Sequence, residues 1–341
     1  MPSAGIYDCE GQYPTADEIS FFRDVDPAGF ILFARHCETR DQVKRHTDAL
    51  KEAVGRDDVL ILIDQEGGRV SRMVPPEFPA HEPMAVFGNL WKLDPKTARE
   101  AARLNSFLLG TMVSSVGVNV NCVPMLDVPH KDADKTVIGD RAIASHPDQI
   151  AELGAAVMEG LIEGGALPVI KHLPGHGRAL VDSHHALPVV HASKSDLQEI
   201  DFLPFKANAS ALIGMTAHIV YTALDEEKCA TMSPTIIRDV IRGEIGFDGF
   251  LLSDDVKMKA LGGPLALRAT ESLKAGCDTA LFCNFTMDEK IAAAANTPTL
   301  AKDALRRYNT AISALPKTSN ESDVGRAYKE LAMMVKPGLM A

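Results

Sequence analysis

Eight short apolar segments recur along the chain, and a longer helical segment separates most of them from the next. The apolar segments show little polar alternation, which is typical of parallel strands that helices cover on both faces. Eight such units predict an α/β fold, a single (β/α)8 TIM-type barrel, although a doubly wound sheet would give the same alternation. The predicted strands lie within 5–9, 29–35, 59–66, 116–128, 166–175, 211–220, 247–255 and 277–284.

The domain organisation is predicted to be simple. No linker rich in Ser, Gly and Pro divides the chain, so we expect one catalytic domain over residues 1–341. The informative motifs fall within 5–285, and 286–341 is expected to form a C-terminal helical extension that begins near Lys290.

Composition excludes several classes of function. The 341 residues carry a net charge of −11 without a long basic run, which argues against nucleic-acid and anionic-membrane partners. No apolar run approaches the ~20 residues of a membrane helix, and the N-terminus lacks the pattern of a secretory signal. The 6 cysteines are widely spaced without a close CxxC pair, so we expect reduced thiols in a cytoplasmic protein.

Polar side chains stand at or just after the ends of the predicted strands. In a barrel these ends surround one mouth, where active sites lie. At any single position a polar residue can simply mark the end of a strand, but the repetition over most strands predicts a functional site. The residues are Asp8, Arg35, Asp64, Asp127, Lys171, His172, His218, Asp254 and Asn284.

Two arginine-containing motifs are candidates for ligand binding. The segment DQEGGRVSR (64–72) has two carboxylates, two glycines and two arginines, and the planar guanidinium of Arg72 could hold a carboxylate or hydroxyls. A salt-bridged turn explains this segment equally well. Arg141 lies in a turn after the Asp127 strand, where a solvated loop arginine is the alternative.

The histidine-rich stretch KHLPGHGRALVDSHH (171–185) admits two hypotheses. Either Lys171 and His172 bind hydroxyls beside a separate proton-transfer residue, or the histidines bind a metal. Structural metal sites use ligands fixed on rigid elements, whereas three of these histidines lie in a loop with glycines. We therefore expect no metal and no cofactor. The metal ligands in the second hypothesis would be His172, His176, His184 and His185.

Proton transfer and nucleophilic attack each have a candidate motif. Asp182 and His184 are two residues apart, so in an extended segment their side chains share one face and the carboxylate can orient the imidazole. A loop histidine that merely packs is the alternative. Asp254 and Asp255 end an apolar strand, where a carboxylate can attack an anomeric carbon. We assign this chemistry to Asp254 and a supporting or capping role to Asp255, and the reverse assignment remains open.

Taken in order, these motifs resemble glycoside hydrolase family 3, and more narrowly its single-domain bacterial β-N-acetylhexosaminidases of cell-wall recycling. The resemblance covers most of 5–285, and the combination of KHLPGHG, DSH and SDD carries it. It implies that Asp254 is the catalytic nucleophile and His184 the acid/base residue, with Asp182 as its dyad partner. It also implies that the terminal sugar is bound by Asp64, Arg72, Arg141, Lys171 and His172.

The implied activity is that of a retaining exo-β-N-acetylglucosaminidase acting on anhydro-muropeptide fragments of peptidoglycan. Its partner would be a small carbohydrate, and the resemblance does not fix the oligomeric state. The alternatives are a family 3 β-glucosidase or β-xylosidase, which generally carry a second domain, a phosphorylase, a metal-dependent amidohydrolase and a sugar-binding protein. Relatives tend to have Phe at Leu173, and Arg178 beside the dyad could contact an anionic substrate.

Overall fold

The structure is a computed structural model that describes residues 1–133, 137–181, 183, 186–316 and 323–339. Within these residues, nine short strands form one parallel sheet, and two further strands, β7 and β9, pair with each other outside it. The strands are β1 (Ser3–Tyr7), β2 (Pro27–Leu32), β3 (Leu60–Ile63), β4 (Val120–Asn121), β5 (Leu167–Pro168), β6 (Ile170–Leu173), β7 (Val189–Val190), β8 (Ile213–Thr216), β9 (Val220–Tyr221), β10 (Phe250–Asp255) and β11 (Thr279–Phe282).

The large sheet closes into a barrel through the segment 166–175, which the sequence analysis predicted as the fifth strand. The strand order is β5-β4-β3-β2-β1-β11-β10-β8-β6, so β5 and β6 form the two edges. Only Val169 separates β5 from β6 along the chain. The two edges therefore belong to one continuous segment, which pairs with β4 through its first half and with β8 through its second. The predicted barrel is confirmed, and the doubly wound open sheet is excluded.

Helices follow most of the strands, and their ends obey local sequence rules. Thr39 is confirmed as an N-cap, since its hydroxyl accepts a hydrogen bond from the backbone N–H of Gln42. The helices are α1 (Ala16–Val25), α2 (Arg40–Val54), α3 (Ala85–Trp91), α4 (Pro95–Ser114), α5 (Pro147–Glu163), α6 (Lys194–Asp196), α7 (Leu203–Ala207), α8 (Leu265–Ala275), α9 (Met287–Ala294), α10 (Lys302–Ser313) and α11 (Val324–Leu339), with π-helical turns at Leu197–Asp201 and Ile236–Glu244.

The predicted strand over 116–128 is wrong in extent. The strand β4 contains only two residues, because Gly117 still turns the chain out of α4 with φ +85° and the N–H of Val123 bonds back to the carbonyl of Asn121. After β4 the chain runs beside β6 through separate contacts, in which the N–H of Lys171 donates to the carbonyl of Pro124 and Met125 forms an isolated parallel bridge with Lys171. The predicted C-terminal helical extension is present as α9, α10 and α11.

Each barrel strand buries side chains on both of its faces, which explains the unbroken apolar runs. In β1, Ile6 points into the barrel interior, whereas Tyr7 packs in the outer layer between sheet and helices. The interior layer continues through Leu60, Leu62 and Phe250, and Tyr308 of α10 packs against its lower end. As far as the structure describes the chain, the interior is therefore filled, and the place for a ligand is the mouth formed by the carboxyl ends of the strands.

The six cysteines, Cys9, Cys37, Cys122, Cys229, Cys277 and Cys283, are buried free thiols, as predicted. None of the described helices is long and apolar enough to cross a membrane.

Stability should depend on pH through the buried His36. Its Nδ1 accepts from the N–H of Phe33 at 2.9 Å and its Nε2 donates to the carbonyl of Cys9 at 2.8 Å, and burial lowers its pKa to about 3. The unfolded chain, with a histidine pKa near ~6.5, binds this proton more tightly. The free energy of unfolding should therefore fall as the pH falls below about 6.5, by up to ~1.4 kcal/mol per pH unit for this group.

Urea unfolding between pH 7.5 and 4.5 measures this slope. The variant His36→Gln, which retains a donor for the Cys9 carbonyl, should be less stable at pH 7.5 but should show a shallower slope. Equal slopes in the two proteins would contradict the assignment.

Candidate active site

A pocket of about 370 Å³ opens at the carboxyl ends of the barrel strands. Five of the nine predicted strand-end residues line it, namely Asp64, Lys171, His172, Asp254 and Asn284. The other four, Asp8, Arg35, Asp127 and His218, are absent from its described lining. The predicted Asp182 and His184 lie outside the described residues. The predicted residues that line the pocket are Asp64, Arg72, Arg141, Lys171, His172 and Asp254.

A network of buried charges forms the inner wall of this pocket. Lys171 Nζ lies 2.9 Å from Asp64 Oδ1 and 2.7 Å from Glu66 Oε1, and its side chain is only 3% exposed. Arg141 donates two hydrogen bonds to Glu66, at 2.8 and 2.9 Å, and Arg72 Nη2 lies 3.3 Å from Asp64 Oδ2. Each carboxylate thus touches two cations, and the side chains hold each other in fixed orientations.

The charges in this network are mutually stabilised. Burial alone would lower the pKa of Lys171, but the carboxylates of Asp64 and Glu66 outweigh it and raise that pKa. Burial would raise the pKa of Glu66, but Lys171 and Arg141 lower it well below its usual range. Lys171 and Glu66 therefore stay ionised at neutral pH, and the network presents polar groups to the pocket that can bind sugar hydroxyls.

Glu66 is a residue to which the sequence analysis gave no role. It is 2% exposed and links Lys171 to Arg141, two residues predicted to bind the sugar. Its spacing from Asp64 is the signal that could have identified it. In an extended chain, residues two positions apart point their side chains to the same face.

Asp127 orients the His172 ring through a hydrogen bond. Asp127 is fully buried, its Oδ2 accepts from His172 Nδ1 at 2.7 Å, and its Oδ1 accepts from the backbone N–H of His176 at 2.6 Å. Burial raises the pKa of Asp127, but the neighbouring His172 outweighs it and lowers that pKa, so this carboxylate is charged. The proton of His172 therefore lies on Nδ1, which leaves Nε2 available at the pocket.

The adjacent carboxylates at the end of β10 have different surroundings. The backbone N–H of Asp255 donates to Asp254 Oδ1 at 2.8 Å, and Asp255 Oδ1 in turn accepts from the N–H of Lys257 at 2.9 Å. The second contact is the one a capping carboxylate makes at the start of a turn. His218 Nε2 also donates to the Asp255 carbonyl at 3.0 Å. The contact to Lys257 fits the supporting role predicted for Asp255, and the assignment of the chemistry to Asp254 stays a prediction.

Asp255 should make the protein less stable at alkaline pH. Burial, with the nearby charge of Asp254 as a smaller cause, raises the pKa of Asp255 to about 7, against about 3.8 for an ordinary aspartate. Because its folded-state pKa is raised, its contribution to stability is greatest below pH ~4 and decreases as the pH rises to about 7. The variant Asp255→Asn should therefore gain about 1–3 kcal/mol at pH 8 relative to wild type.

That gain should disappear near pH 4, where the wild-type carboxyl is protonated. Denaturant titrations of both proteins at pH 8, 6 and 4 measure it. A constant difference across the three values would show that the carboxyl ionises normally.

The middle of the DSH motif lies at the pocket. Ser183 lines the pocket and is 3% exposed, and its carbonyl accepts from the N–H of Ala260 at 3.2 Å. Its hydroxyl lies 3.4 Å from His176 Nε2. Ser183 is the immediate neighbour of both predicted dyad residues in the sequence.

Arg178 is paired with a carboxylate inside the protein. Its Nε donates to Asp201 at 2.7 Å, Asp201 is 1% exposed, and Arg178 is absent from the described lining of the pocket. This compensated charge argues against contact with an anionic substrate. Leu173 is fully buried in the core at the end of β6.

Two of the four histidines of the predicted metal site, His172 and His176, are described, and both contact other protein groups. His172 is paired with Asp127, and the His176 ring packs against the His172 ring with centroids 5.4 Å apart. Over the described residues, no group of three or more His, Cys, Asp or Glu side chains is arranged to hold a metal ion. His184 and His185 lie outside the described residues.

Comparison with known proteins decides the family. Residues 13–312 match the family model described as "Glycosyl hydrolase family 3 N terminal domain". The chain belongs to glycoside hydrolase family 3. Within this family it is similar to the β-hexosaminidase of Bordetella avium, with 33% identity over 312 residues that cover 90% of this chain and 85% of that protein. It is also similar to the β-hexosaminidase of Methylobacillus flagellatus, with 36% identity over 283 residues that cover 82% and 80%.

Solved structures of family 3 enzymes share the fold. NagZ from Neisseria gonorrhoeae, in complex with N-trifluoroacetyl-D-glucosamine, is 30% identical, has a TM-score of 0.87 and is matched over 98% of this chain and 99% of that one. A β-N-acetylglucosaminidase from Paenibacillus sp. is 26% identical with a TM-score of 0.78, over 98% of this chain and 61% of that one. This family 3 chain is a glycosidase of the β-N-acetylhexosaminidase type, which disfavours the β-glucosidase, β-xylosidase and sugar-binding alternatives.

Proposed function

We propose that the protein is a retaining exo-β-N-acetylglucosaminidase that removes terminal β-linked N-acetylglucosamine from anhydro-muropeptide fragments of peptidoglycan. The observation that carries the proposal is the placement of Asp254 in one pocket with the buried network of Lys171, Asp64 and Glu66. A carboxylate nucleophile and a set of hydroxyl-binding groups are the two parts that such a reaction needs.

The shape of the pocket supports cleavage at a chain end. Its inner wall contains Lys171, Asp64 and Glu66, whose side chains are at most 19% exposed. The filled barrel interior lies beneath them, so a sugar chain cannot pass through. A terminal sugar can therefore enter with its hydroxyls toward these groups and its glycosidic bond toward the mouth.

In the proposed mechanism, a carboxylate oxygen of Asp254 attacks the anomeric carbon as the bond from that carbon to the leaving oxygen breaks. His184 gives its proton to the leaving oxygen, and a glycosyl–Asp254 ester forms. His184 then takes a proton from water, the water oxygen bonds to the anomeric carbon, and Asp254 leaves as a carboxylate. Two inversions retain the configuration.

The acid/base role rests on the sequence of the DSH motif and on its described centre. Ser183 lines the same pocket as Asp254, which supports a proton-transfer group there. An imidazole in this role, with Asp182 as its partner, avoids placing a second carboxylate directly against the nucleophile.

The cellular role is proposed from the relatives and from the thiols. The similar proteins are β-hexosaminidases, and one similar structure holds an N-acylglucosamine analogue, N-trifluoroacetyl-D-glucosamine. The six free buried cysteines are compatible with a reducing compartment. We therefore propose that the enzyme works in the cytoplasm, on cell-wall fragments that are being recycled.

A paired assay tests the proposal. The pure protein is given nitrophenyl β-N-acetylglucosaminide or nitrophenyl β-glucoside, with and without chelator and with and without phosphate, and NMR identifies the first anomer released. We expect chelator-insensitive, phosphate-independent hydrolysis of the N-acetyl substrate alone, with the β-anomer formed first. Phosphate dependence would identify a phosphorylase, and loss of activity with chelator would restore the metal-dependent alternative.

A further inference from the structure

We propose that Arg69 is a positioning residue, which holds the loop 137–141 against the pocket and so fixes Arg141 where it can bind the sugar. The inference rests on the proposed function, in which Arg141 is one of the sugar-binding groups. It adds a residue of the motif 64–72 to which the sequence analysis assigned no function of its own.

Arg69 contacts this loop at three points. Its Nε donates to Asp140 Oδ1 at 2.7 Å, and its Nη2 donates to the carbonyl of Val137 at 3.0 Å and lies 3.4 Å from that of Ile138. Arg69 lines the pocket together with Val137 and Ile138, so these contacts lie in the pocket wall. A planar guanidinium can bond a carboxylate and a carbonyl at the same time, and Arg69 therefore binds the backbone of the loop as well as one of its side chains.

Arg69 and Arg141 share one of these acceptors. The carbonyl of Val137 accepts from Arg69 Nη2 at 3.0 Å and from Arg141 Nη1 at 3.1 Å. Two guanidiniums at one oxygen would repel each other, but each has a carboxylate of its own. Arg69 pairs with Asp140, and Arg141 pairs with Glu66. Loss of Arg69 would therefore remove one of the two donors to this carbonyl and the cation with which Asp140 pairs.

One tight turn holds both the loop 137–141 and the side chain of Arg141. The turn is closed by a hydrogen bond of 2.9 Å from the N–H of Glu66 to the carbonyl of Val70, and it carries Glu66 and Arg69. Glu66 accepts two hydrogen bonds from Arg141, and Arg69 binds the loop from which Arg141 extends. The turn thus fixes the guanidinium of Arg141 at one end and its backbone at the other.

The exposure of the Arg69–Asp140 pair indicates that its effect is local. The two side chains are 44% and 43% exposed, and an ion pair this exposed contributes little to the stability of a whole protein. Arg141 is only 16% exposed and reaches into the pocket wall. Removal of Arg69 should therefore leave the protein folded, loosen the loop 137–141 and weaken sugar binding through Arg141.

A double-mutant cycle on kcat/KM for nitrophenyl β-N-acetylglucosaminide tests this role. Arg69→Gln should lower kcat/KM about 5- to 20-fold, mainly through a raised KM, because the loop then holds Arg141 less well. In the Arg141→Gln background the same change should lower kcat/KM less than twofold, since Arg69 acts through Arg141. Equal losses in the two backgrounds would show that Arg69 acts independently of Arg141, and would overturn the proposal.

Hydrogen exchange provides a readout that does not depend on activity. The N–H of Arg141 donates to the carbonyl of Ile138 at 2.9 Å, and that of Ala142 donates to the carbonyl of Gly139 at 3.3 Å. Arg69→Gln should accelerate exchange of these two amides several-fold, because the loop opens more often. Unchanged exchange would overturn the proposal whatever the kinetics show.

Arg99→Gln is the matched control. Arg99 is also 44% exposed, pairs with Glu159 at 2.8 Å and is absent from the described lining of the pocket. It should change neither kcat/KM nor exchange in the loop 137–141, and a change equal to that of Arg69→Gln would count against the proposal. Wild-type inactivity would overturn the proposed function and the sugar-binding role of Arg141, whereas faster exchange in Arg69→Gln would still establish the hold on the loop.

Discussion

Replacing Asp254 with glycine should lower kcat/KM on nitrophenyl β-N-acetylglucosaminide by on the order of 10⁴-fold or more, because the enzyme then has no group to form the covalent intermediate. Added azide should restore part of the activity. The small anion can occupy the space left by the carboxylate and attack the anomeric carbon directly. The product should then be the α-glycosyl azide, since a single displacement inverts the configuration.

Asp255→Gly is the matched control for this experiment, because the two carboxylates are adjacent and both line the pocket. Loss of the Asp255 carboxyl removes the contact to the Lys257 N–H and should lower activity, but azide should not restore it. Azide rescue of Asp255→Gly, with no rescue of Asp254→Gly, would exchange their roles. Near-normal activity of Asp254→Gly would refute the mechanism.

Much of the barrel could be predicted because each strand carries its own signal. A parallel strand covered on both faces needs an unbroken apolar run, and the run ends where the mouth begins, so Asp64, Lys171 and Asp254 were found as strand ends. The strand lengths could not be predicted in this way. The two-residue β4 depends on pairing with Leu62 and Ile63 of β3 and on the turn at Val123, which apolar composition does not encode.

The supporting residues of the site were harder to predict than the residues that face the pocket. Glu66 acts through Lys171, which is more than a hundred positions away in the sequence, and Asp127 acts through His172, 45 positions away. The spacing from Asp64 could have indicated Glu66, but no local pattern identifies its partner Lys171 or the pairing of Asp127 with His172. Arg178 shows the same limit, since its partner Asp201 lies on the π-helical turn that packs against its loop.

Removing Lys171 should cost more stability than any other single change to the charge network. In Lys171→Met the carboxylates of Asp64 and Glu66 remain buried without the ammonium between them, and breaking a buried ion pair in this way costs about 3–5 kcal/mol. The variant should also lose sugar binding, seen as a raised KM. Lys44→Met is the control, because Lys44 pairs with Asp48 on an exposed helix face, where an ion pair contributes about 1 kcal/mol or less.

The pH dependence of the stability lost in Lys171→Met distinguishes the loss of the ammonium charge from a simple loss of packing. In the wild type, burial raises the pKa of Asp64 but Lys171 and Arg72 outweigh it, and the net pKa is lowered. Without the ammonium the opposing effect of burial is stronger, so the variant carboxylates should protonate at higher pH. The deficit in the free energy of unfolding should therefore shrink as the pH falls from 7.5 to 5.

Glu66→Gln in the Lys171→Met background should recover part of the lost stability at pH 7.5, since it removes the repulsion between Asp64 and Glu66 that the ammonium no longer offsets. Denaturant unfolding of the single and double variants gives the coupling energy directly. A deficit that stays constant with pH, together with additive single effects, would show that Lys171 contributes through packing. The buried network would then hold the side chains of the site in place, and the charge of Lys171 would not be what stabilises the protein.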